Sequence, residues 1–322
     1  MPDQNYVHTL PKVGSRPFRR GQWVEVRTLR EIQATLDAEG KLDGLPFMPE
    51  MVKYCGRRFR VARRADHIFL DRYCYVAGLT DTVFLEEKED AFRDLRCDGQ
   101  AHDGCQMRCE LFWKEAWLKP ADGPNKPEDE TRGEQCAPSN LLTRKGDRLV
   151  CHATELVNAS ARLPWWDLRQ YARELRLGET TVGMLFVTLL RRACQKAARL
   201  FPKQKRQAEW QITQPTPTET LNLQPGEWVE VKSLQEIQAT LDANGRNRGL
   251  GFAPDQAEHC GKRFRVAGRV ERLILEWSGE MRPIANAVEL EEVTCHGRMC
   301  RSCPRNCYYL WREIWLRRAP SP

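Results

Sequence analysis

An internal repeat is the feature of this 322-residue sequence that most constrains its fold. The segment GQWVEVRTLREIQATLDAEGKLDGLPFMPE, residues 21–50, returns as GEWVEVKSLQEIQATLDANGRNRGLGFAPD, residues 226–255. The match continues through YCGRRFRVA and HCGKRFRVA and, after a short insertion in the first copy, through CELFWKEAWLKP and CYYLWREIWLRR. Because long-range self-similarity marks duplicated units, the sequence predicts two copies of one domain on either side of a different middle.

Each copy consists mainly of predicted short strands. Residues 23–27 and 58–61 alternate between apolar and charged side chains, as a half-buried strand does, and the apolar run 83–85 predicts a further strand. Residues 31–37 have the apolar spacing of a short helix, and 48–54 predict a second one. We therefore expect a mainly β fold with some helix, in which each copy is a small, partly open SH3-like β-barrel of about five strands. A small β-sandwich is the alternative.

Composition suggests where the domains end. Residues 119–135 and 202–225 are rich in proline and polar or charged residues, which is typical of exposed linkers. Between them, 165–177 and 180–201 have helical periodicity and predict a helical hairpin. The predicted order is an N-terminal tail (1–20), a first cysteine-rich repeat (21–119), a linker (120–135), a cysteine-containing helical middle (136–201), a second linker (202–225) and a second repeat (226–318).

Both copies contain a loop with the same ligand spacing. Loop 1 (residues 97–109) reads C-x4-H-x2-C-x3-C, and loop 2 (residues 295–307) reads C-x4-C-x2-C-x3-C. The candidate metal ligands are Cys97, His102, Cys105 and Cys109 in loop 1 and Cys295, Cys300, Cys303 and Cys307 in loop 2. Sulfur and imidazole donors suit zinc or iron and not calcium or magnesium. We predict one metal site in each loop.

The spacing leaves the identity of the metal open. Zinc accepts three thiolates and an imidazole as readily as four thiolates, so the exchange of His102 for Cys300 favours zinc. Iron–sulfur clusters mostly take four thiolates, and the start of loop 2 resembles that of a plant-type ferredoxin loop. Zinc is the preferred cofactor, and an iron–sulfur cluster is the alternative.

The remaining cysteines allow two interpretations. Cys55, Cys74, Cys136 and Cys151 could form a second, all-cysteine metal site in the first half of the chain. Alternatively, Cys55 and its counterpart Cys260 are small buried apolar residues beside a strand. Cys194 lies in an apolar helical stretch, where packing is the expected role.

Two further features bear on partners. Aromatic residues follow each loop at once (Phe112, Trp113 and Trp117, then Tyr309, Trp311 and Trp315), either as a closing element of the core or as a platform for base stacking. Basic residues on a helical spacing at Arg191, Arg192, Lys196 and Arg199 could bind a protein partner or an anionic membrane surface, or could simply be solvated. The net charge of +7 permits nucleic acid as a partner without requiring it.

Other sequence signals set the compartment and the class. The N-terminal residues contain no apolar segment typical of a secretory signal, so we expect a cytoplasmic protein. The longest apolar run, 182–190, is shorter than the roughly 20 residues that span a bilayer. In a reducing compartment, 13 cysteines favour metal ligation or burial over a disulfide framework. The sequence contains no nucleotide-binding, nucleophile-elbow or H-E-x-x-H motif, which favours a non-catalytic protein.

Several motifs together resemble one family. GQWVEVRTLREIQATLD, LPFMPEM, YCGRRFRV and the whole of loop 1, followed by CHATEL and LPWWDLRQYARELRLG, are similar to a family of bacterial cytosolic cysteine-rich proteins. The similarity covers about residues 20–200, and the rest looks like a diverged extra copy of the first domain. The resemblance supports the repeat and the metal loops, and it implies no activity.

The residues together predict a metal-binding protein without catalytic activity. It would carry a three-cysteine, one-histidine site in loop 1 and a four-cysteine site in loop 2, and act as an interaction or accessory module for another protein. An iron–sulfur electron-transfer or accessory protein for an oxidoreductase is the first alternative. A nucleic-acid-binding zinc protein is the second.

Overall fold

The computed structural model of the chain describes residues 17–70, 75–87, 95–125, 141–163, 172–173, 175–176, 183, 216–295, 297 and 303–321. The fold is mainly β, and its described antiparallel sheets are small and open. The expectation of a mainly β protein with some helix is therefore confirmed. Two compact units divide the chain. Unit 1 comprises Met1–Glu179, Leu273–Arg282 and Cys300–Asn306, and unit 2 comprises Thr180–Arg272, Pro283–Met299 and Cys307–Pro322.

The first sheet contains strands from the whole first copy of the repeat. The described strands of this part of the chain are β1 (Trp23–Val26), β2 (Lys41–Leu42), β3 (Leu45–Pro46), β4 (Arg58–Arg64), β5 (Ile68–Leu70), β6 (Tyr75–Leu79), β7 (Thr82–Glu86), β8 (Trp113–Lys114), β9 (Leu118–Pro120), β10 (Arg144–Lys145), β11 (Arg148–Leu149) and β12 (Ser160–Arg162). Five of them form an antiparallel sheet in the order β8-β7-β4-β1-β9. Val24 and Val26 of β1 are fully buried, whereas Glu25 between them is partly exposed. This is the alternation that the sequence predicts for a half-buried strand.

The second sheet has the same strand order as the first. Its part of the chain contains β13 (Trp228–Val231), β14 (Arg246–Asn247), β15 (Leu250–Gly251), β16 (Arg263–Ile274), β17 (Met281–Leu290), β18 (Trp311–Arg312) and β19 (Leu316–Arg318). The order β18-β17-β16-β13-β19 places each strand where its counterpart in the repeated sequence lies in the first sheet. The register agrees as well, since Val24 lies opposite Phe59 and Val229 lies opposite Phe264.

Short helices lie between the strands. Among the described residues, the α-helices with defined bounds are α1 (Leu29–Gln33), α2 (His152–Ala159) and α3 (Leu234–Gln238), and the 3₁₀-helices are Pro49–Tyr54, Glu115–Trp117, Pro254–His259 and Glu313–Trp315. Thr28 and Glu31 form a capping box that begins α1, and Ser233 and Glu236 form the same box at α3. The two predicted helices at 31–37 and 48–54 are thus present, the first beginning at Leu29 and ending at Gln33.

The middle of the chain contains strands as well as helix. Strands β10 and β11 form a hairpin, and β12 pairs with β6 of the first copy. Within 141–163, therefore, the described middle is less helical than the sequence predicts, because its strands pair with distant partners that local periodicity cannot reveal. The predicted hairpin of helices over 165–177 and 180–201 falls largely outside the described residues. The described positions 172, 173, 175, 176 and 183 are helical.

Tryptophans form the centre of the cores. Trp113 and Trp117 in unit 1 and Trp311 and Trp315 in unit 2 are all 0% exposed. The indole N–H of Trp117 donates to the Thr35 hydroxyl at 3.1 Å, and that of Trp315 donates to Thr240 at 3.0 Å. These rings are packing residues that close the core, and they offer no free face on which a base could stack.

In the part of the chain that the structure describes, no helix is both long and apolar enough to cross a membrane.

Candidate metal centre

A short antiparallel contact closes the base of each cysteine loop. In loop 1 it is the bridge between Arg96 and Glu110, and the Cys97 amide donates to the Cys109 carbonyl at 2.8 Å. In loop 2 the bridge joins Thr294 to Tyr308, and the Cys295 amide donates to the Cys307 carbonyl at 2.7 Å. The first and last cysteine of each loop are thereby fixed side by side.

A glycine turns each loop two residues after its first cysteine. Gly99 has φ +73° and Gly297 has φ +66°, values that favour glycine. The Gly297 amide donates to Sγ of Cys295 at 3.4 Å, and a backbone hydrogen bond from Gly99 acts to lower the pKa of Cys97. An amide directed at sulfur stabilises a thiolate, the form that binds metal.

Three potential ligands converge beside loop 1. One oxygen, nitrogen or sulfur atom from each of Glu50, Cys97 and His102 lies within 4.8 Å of the others. Oε1 of Glu50 is 3.2 Å from Nε2 of His102, and Sγ of Cys97 is 3.6 Å from the same oxygen. Glu50 comes from the 3₁₀-helix Pro49–Tyr54 and was absent from the ligands predicted from the sequence.

The cluster is almost completely shielded from solvent. The side chains of His102 and Glu50 are only 1% and 3% exposed. Burial, reinforced by the Glu50 carboxylate, holds the pKa of the Cys97 thiol well above its usual range. Burial also acts to raise the pKa of Glu50, but the adjacent His102 outweighs it, and the net pKa of Glu50 is lowered. Buried polar groups of this kind need partners that satisfy them.

A cavity of about 50 Å³ adjoins the cluster in unit 1. Its wall contains all four predicted ligands of loop 1 (Cys97, His102, Cys105 and Cys109) together with Cys151 and His152. Burial raises the pKa of Cys151 to about 11, and the nearby Cys105 adds to this shift. The sequence offers Cys151 as one ligand of a possible second, all-cysteine site, whereas the fold places it in the same cavity wall as the loop 1 ligands.

His152 has a structural role in this wall. Its Nδ1 accepts a hydrogen bond from the Phe112 amide at 3.1 Å, and its Nε2 lies 2.9 Å from the Pro46 carbonyl, to which it donates. With both nitrogens occupied, His152 cannot serve as a metal ligand without breaking one of these bonds. Burial lowers its pKa to about 3, so the ring is neutral.

Loop 2 is described less completely. Cys295 and Cys307 belong to unit 2 and Cys303 to unit 1, and Cys300 lies outside the described residues. Within unit 1, Sγ of Cys303 accepts a hydrogen bond from the Phe69 amide at 3.3 Å.

A carboxylate also lies near the first cysteine of loop 2. Burial raises the pKa of the Tyr309 phenol, and the hydrogen bonds of its hydroxyl with Asp255 and Cys295 add to the shift. Asp255 follows Pro254 as Glu50 follows Pro49, so both copies place an acid at the same point of the same 3₁₀-helix.

The other predicted site residues are scattered or undescribed. Cys55 is 1% exposed within the apolar core, and Cys260 is partly buried. Cys74, Cys136 and Cys194 lie outside the described residues, as do the basic residues Arg191, Arg192, Lys196 and Arg199.

The donor set beside loop 1 fits a single divalent ion. Thiolate, imidazole and carboxylate are all ligands that zinc takes in tetrahedral sites. The two ring nitrogens of His102 and Oε2 of Glu50 are buried without a hydrogen-bond partner among the described residues. A bound metal ion would provide a partner for such buried polar atoms. Comparison with protein-family models, with curated proteins and with solved structures gave no match for this chain.

Proposed function

We propose that this chain is a non-catalytic zinc-binding protein. One zinc ion is held at loop 1 and another at loop 2, and each ion stabilises a loop that closes a small SH3-like β domain. The observation that carries the proposal is the convergence of buried ligand atoms from Glu50, Cys97 and His102 within 4.8 Å of one another.

Two aspects of the site support zinc over an iron–sulfur cluster at loop 1. The histidine is a nitrogen donor and the carboxylate an oxygen donor, and zinc accepts both beside thiolates. Iron–sulfur clusters, in contrast, are held mainly by cysteine. The exchange of His102 for Cys300 between the two loops points the same way, because zinc takes either ligand.

The duplicated strand order supports two copies of one domain. Each copy contributes a five-stranded antiparallel sheet, a capped helix and a glycine-containing ligand loop. Small domains bury little apolar surface, so a bound metal contributes directly to their folding free energy. Such a protein serves as an interaction or accessory module, and a second protein is the partner that we propose.

Metal analysis tests the proposal. Anaerobically purified protein is expected to be colourless, with two zinc ions per chain and no acid-labile sulfide. The Cys97→Ser variant should retain one zinc ion, because it removes a ligand of loop 1 only. A brown preparation that contains iron and sulfide, or a chain without stoichiometric metal, would contradict the proposal.

A further inference from the structure

We infer that the carboxylate of Glu50 is itself a ligand of the zinc ion at loop 1. The inference rests on the proposed function, and it changes the expected site from three sulfurs and one nitrogen to a mixed site. In that site Glu50, Cys97 and His102 supply one oxygen, one sulfur and one nitrogen, and the fourth ligand is a loop cysteine that lines the same cavity.

The distances between the ligand atoms match those around a tetrahedral zinc ion. Zinc bonds of about 2.0 Å to oxygen and nitrogen and about 2.3 Å to sulfur place an oxygen about 3.3 Å from a nitrogen and about 3.5 Å from a sulfur. The observed separations from Oε1 of Glu50 are 3.2 Å to Nε2 of His102 and 3.6 Å to Sγ of Cys97. Both separations from the carboxylate oxygen therefore match a tetrahedral zinc site, and the ligand atoms of all three residues lie within 4.8 Å of one another.

The contact between Glu50 and His102 leaves part of each group without a partner. Nε2 of His102 lies 3.2 Å from Oε1 of Glu50, but Nδ1 of His102 and Oε2 of Glu50 are buried with no hydrogen-bond partner among the described residues. A buried imidazole left in this state costs about 1–3 kcal/mol for each unsatisfied group. A metal ion between the two side chains removes this cost, because the nitrogen lone pair and the carboxylate oxygen both bind the ion.

The second copy provides an independent observation. Asp255 occupies the position of Glu50, and it shares the Tyr309 hydroxyl with Cys295, the first cysteine of loop 2. Both copies thus place an acid at this register, and it shares a polar contact with the first cysteine, directly in loop 1 and through the Tyr309 hydroxyl in loop 2. In loop 2 the phenol lies between the acid and the thiol, whereas in loop 1 the corresponding residue is Leu111, which has no polar group to intervene.

Two substitutions in the full chain, each of which replaces an acid by its neutral amide, test the inference. Glu50→Gln should lower the zinc affinity of one site by more than about 100-fold, beyond the 10–100-fold effect of residues that only orient a ligand. Asp98→Asn is the control, because it removes the same charge one residue from Cys97 while its amide oxygen can still accept from the Gln100 amide. The control also removes the exposed ion pair between Asp98 and Lys53, so it should change zinc affinity by less than about fivefold.

Two further measurements separate a ligand from a structural residue. Glu50→Cys supplies another zinc ligand, so it should retain the metal better than Glu50→Gln, including when Glu50→Gln fails to fold. X-ray absorption of a Cys303→Ser, Cys307→Ser chain should show two sulfurs and two oxygen or nitrogen atoms around the zinc of loop 1.

The outcomes distinguish this inference from the proposed function. A zinc affinity that falls by less than about 100-fold in Glu50→Gln, or a first shell of three sulfurs and one nitrogen, would overturn the role of Glu50 alone. Wild-type protein without zinc would overturn the proposed function as well.

Discussion

The backbone of Gly99 passes so close to Cys105 that a Cβ atom on Gly99 would collide with the Cys105 carbonyl oxygen. The close approach belongs to the turn that carries His102, whose amide donates to the Gly99 carbonyl at 3.0 Å. Because Gly99 also has φ +73°, an alanine there is disfavoured both by its backbone conformation and by the collision.

Gly99→Ala is therefore expected to destabilise loop 1 by more than about 2 kcal/mol, the sum of a φ penalty and a packing clash. Zinc affinity at loop 1 should fall with it, as measured by competition with a chelating dye. Gly146→Ala and Gly123→Ala are matched controls, since a Cβ atom meets open space at both positions. Gly146, with φ +62°, should show the conformational penalty alone, and Gly123 should show almost none. An effect at Gly99 no larger than that at Gly146 would contradict the role of the close approach.

Removal of the metal should loosen the loops and leave the sheets intact. The core of unit 1 consists of apolar residues such as Val24, Phe59 and Trp117, which need no ion to pack. After treatment with a chelator, amides of residues 95–111 should exchange hydrogen faster, whereas those of β1 and β4 should stay protected. Hydrogen exchange with mass spectrometry measures both. Cys97→Ser should already show fast exchange in 95–111, and equal protection with and without chelator would contradict a metal at loop 1.

Some of the site could be predicted from the sequence because its spacing is local. The predicted ligands of loop 1 lie within 13 residues, and Gly99 lies only two residues after Cys97. Residues this close along the chain stay close in space whatever the tertiary fold. The half-buried strand β1 was recognisable for the same reason, since Val24 and Val26 alternate with charged neighbours.

Glu50 and Cys151 could not be predicted in this way, because tertiary packing brings them to the site. Glu50 lies 47 residues before Cys97 and looks like an ordinary acid in the first turn of a helix after Pro49. One signal was present in the repeat, since both copies keep an acid at this register. Cys151 reaches the cavity because it caps α2, and helix α2 packs on β3.

The hydroxyls of Thr35 and Thr240 form the same two hydrogen bonds in the two units, so the same substitution should destabilise both. Each hydroxyl accepts from a buried tryptophan indole and donates to the carbonyl of an isoleucine three residues earlier, at 2.7 Å in both units. Replacement by valine leaves the indole N–H without its acceptor, and we expect a loss of about 1–3 kcal/mol in either unit. Denaturant unfolding followed by hydrogen exchange in each unit measures it. The serine variants keep the hydroxyl and should lose less. A valine variant as stable as its serine counterpart would contradict this role.

Substitution of the buried acid Glu313 is expected to destabilise unit 2. Glu313 is 0% exposed, and its carboxylate accepts hydrogen bonds from the amides of Leu221, Asn222 and Leu223 at 2.7–3.0 Å and from Arg269 at 3.0 Å. These bonds fix the chain segment that leads into β13. Glu313→Gln keeps the shape but replaces one oxygen with a donor, so at least one amide faces another donor. We expect a loss of about 2–4 kcal/mol in unit 2, since hydrogen bonds to a charged group contribute about 1.5–3 kcal/mol each.

The equivalent acid of unit 1, Glu115, is the matched comparison for Glu313. It accepts from the Phe18 amide at 3.2 Å and pairs with Arg64, which also pairs with Asp66. With one backbone amide at stake and with Asp66 still available to Arg64, Glu115→Gln should destabilise its unit less than Glu313→Gln destabilises unit 2. Hydrogen exchange of residues 216–231 in Glu313→Gln and of residues 17–26 in Glu115→Gln, measured under the same conditions, ranks the two losses of stability. A larger loss at Glu115 would show that the arginine pair, and not the row of backbone amides, determines what this buried acid contributes.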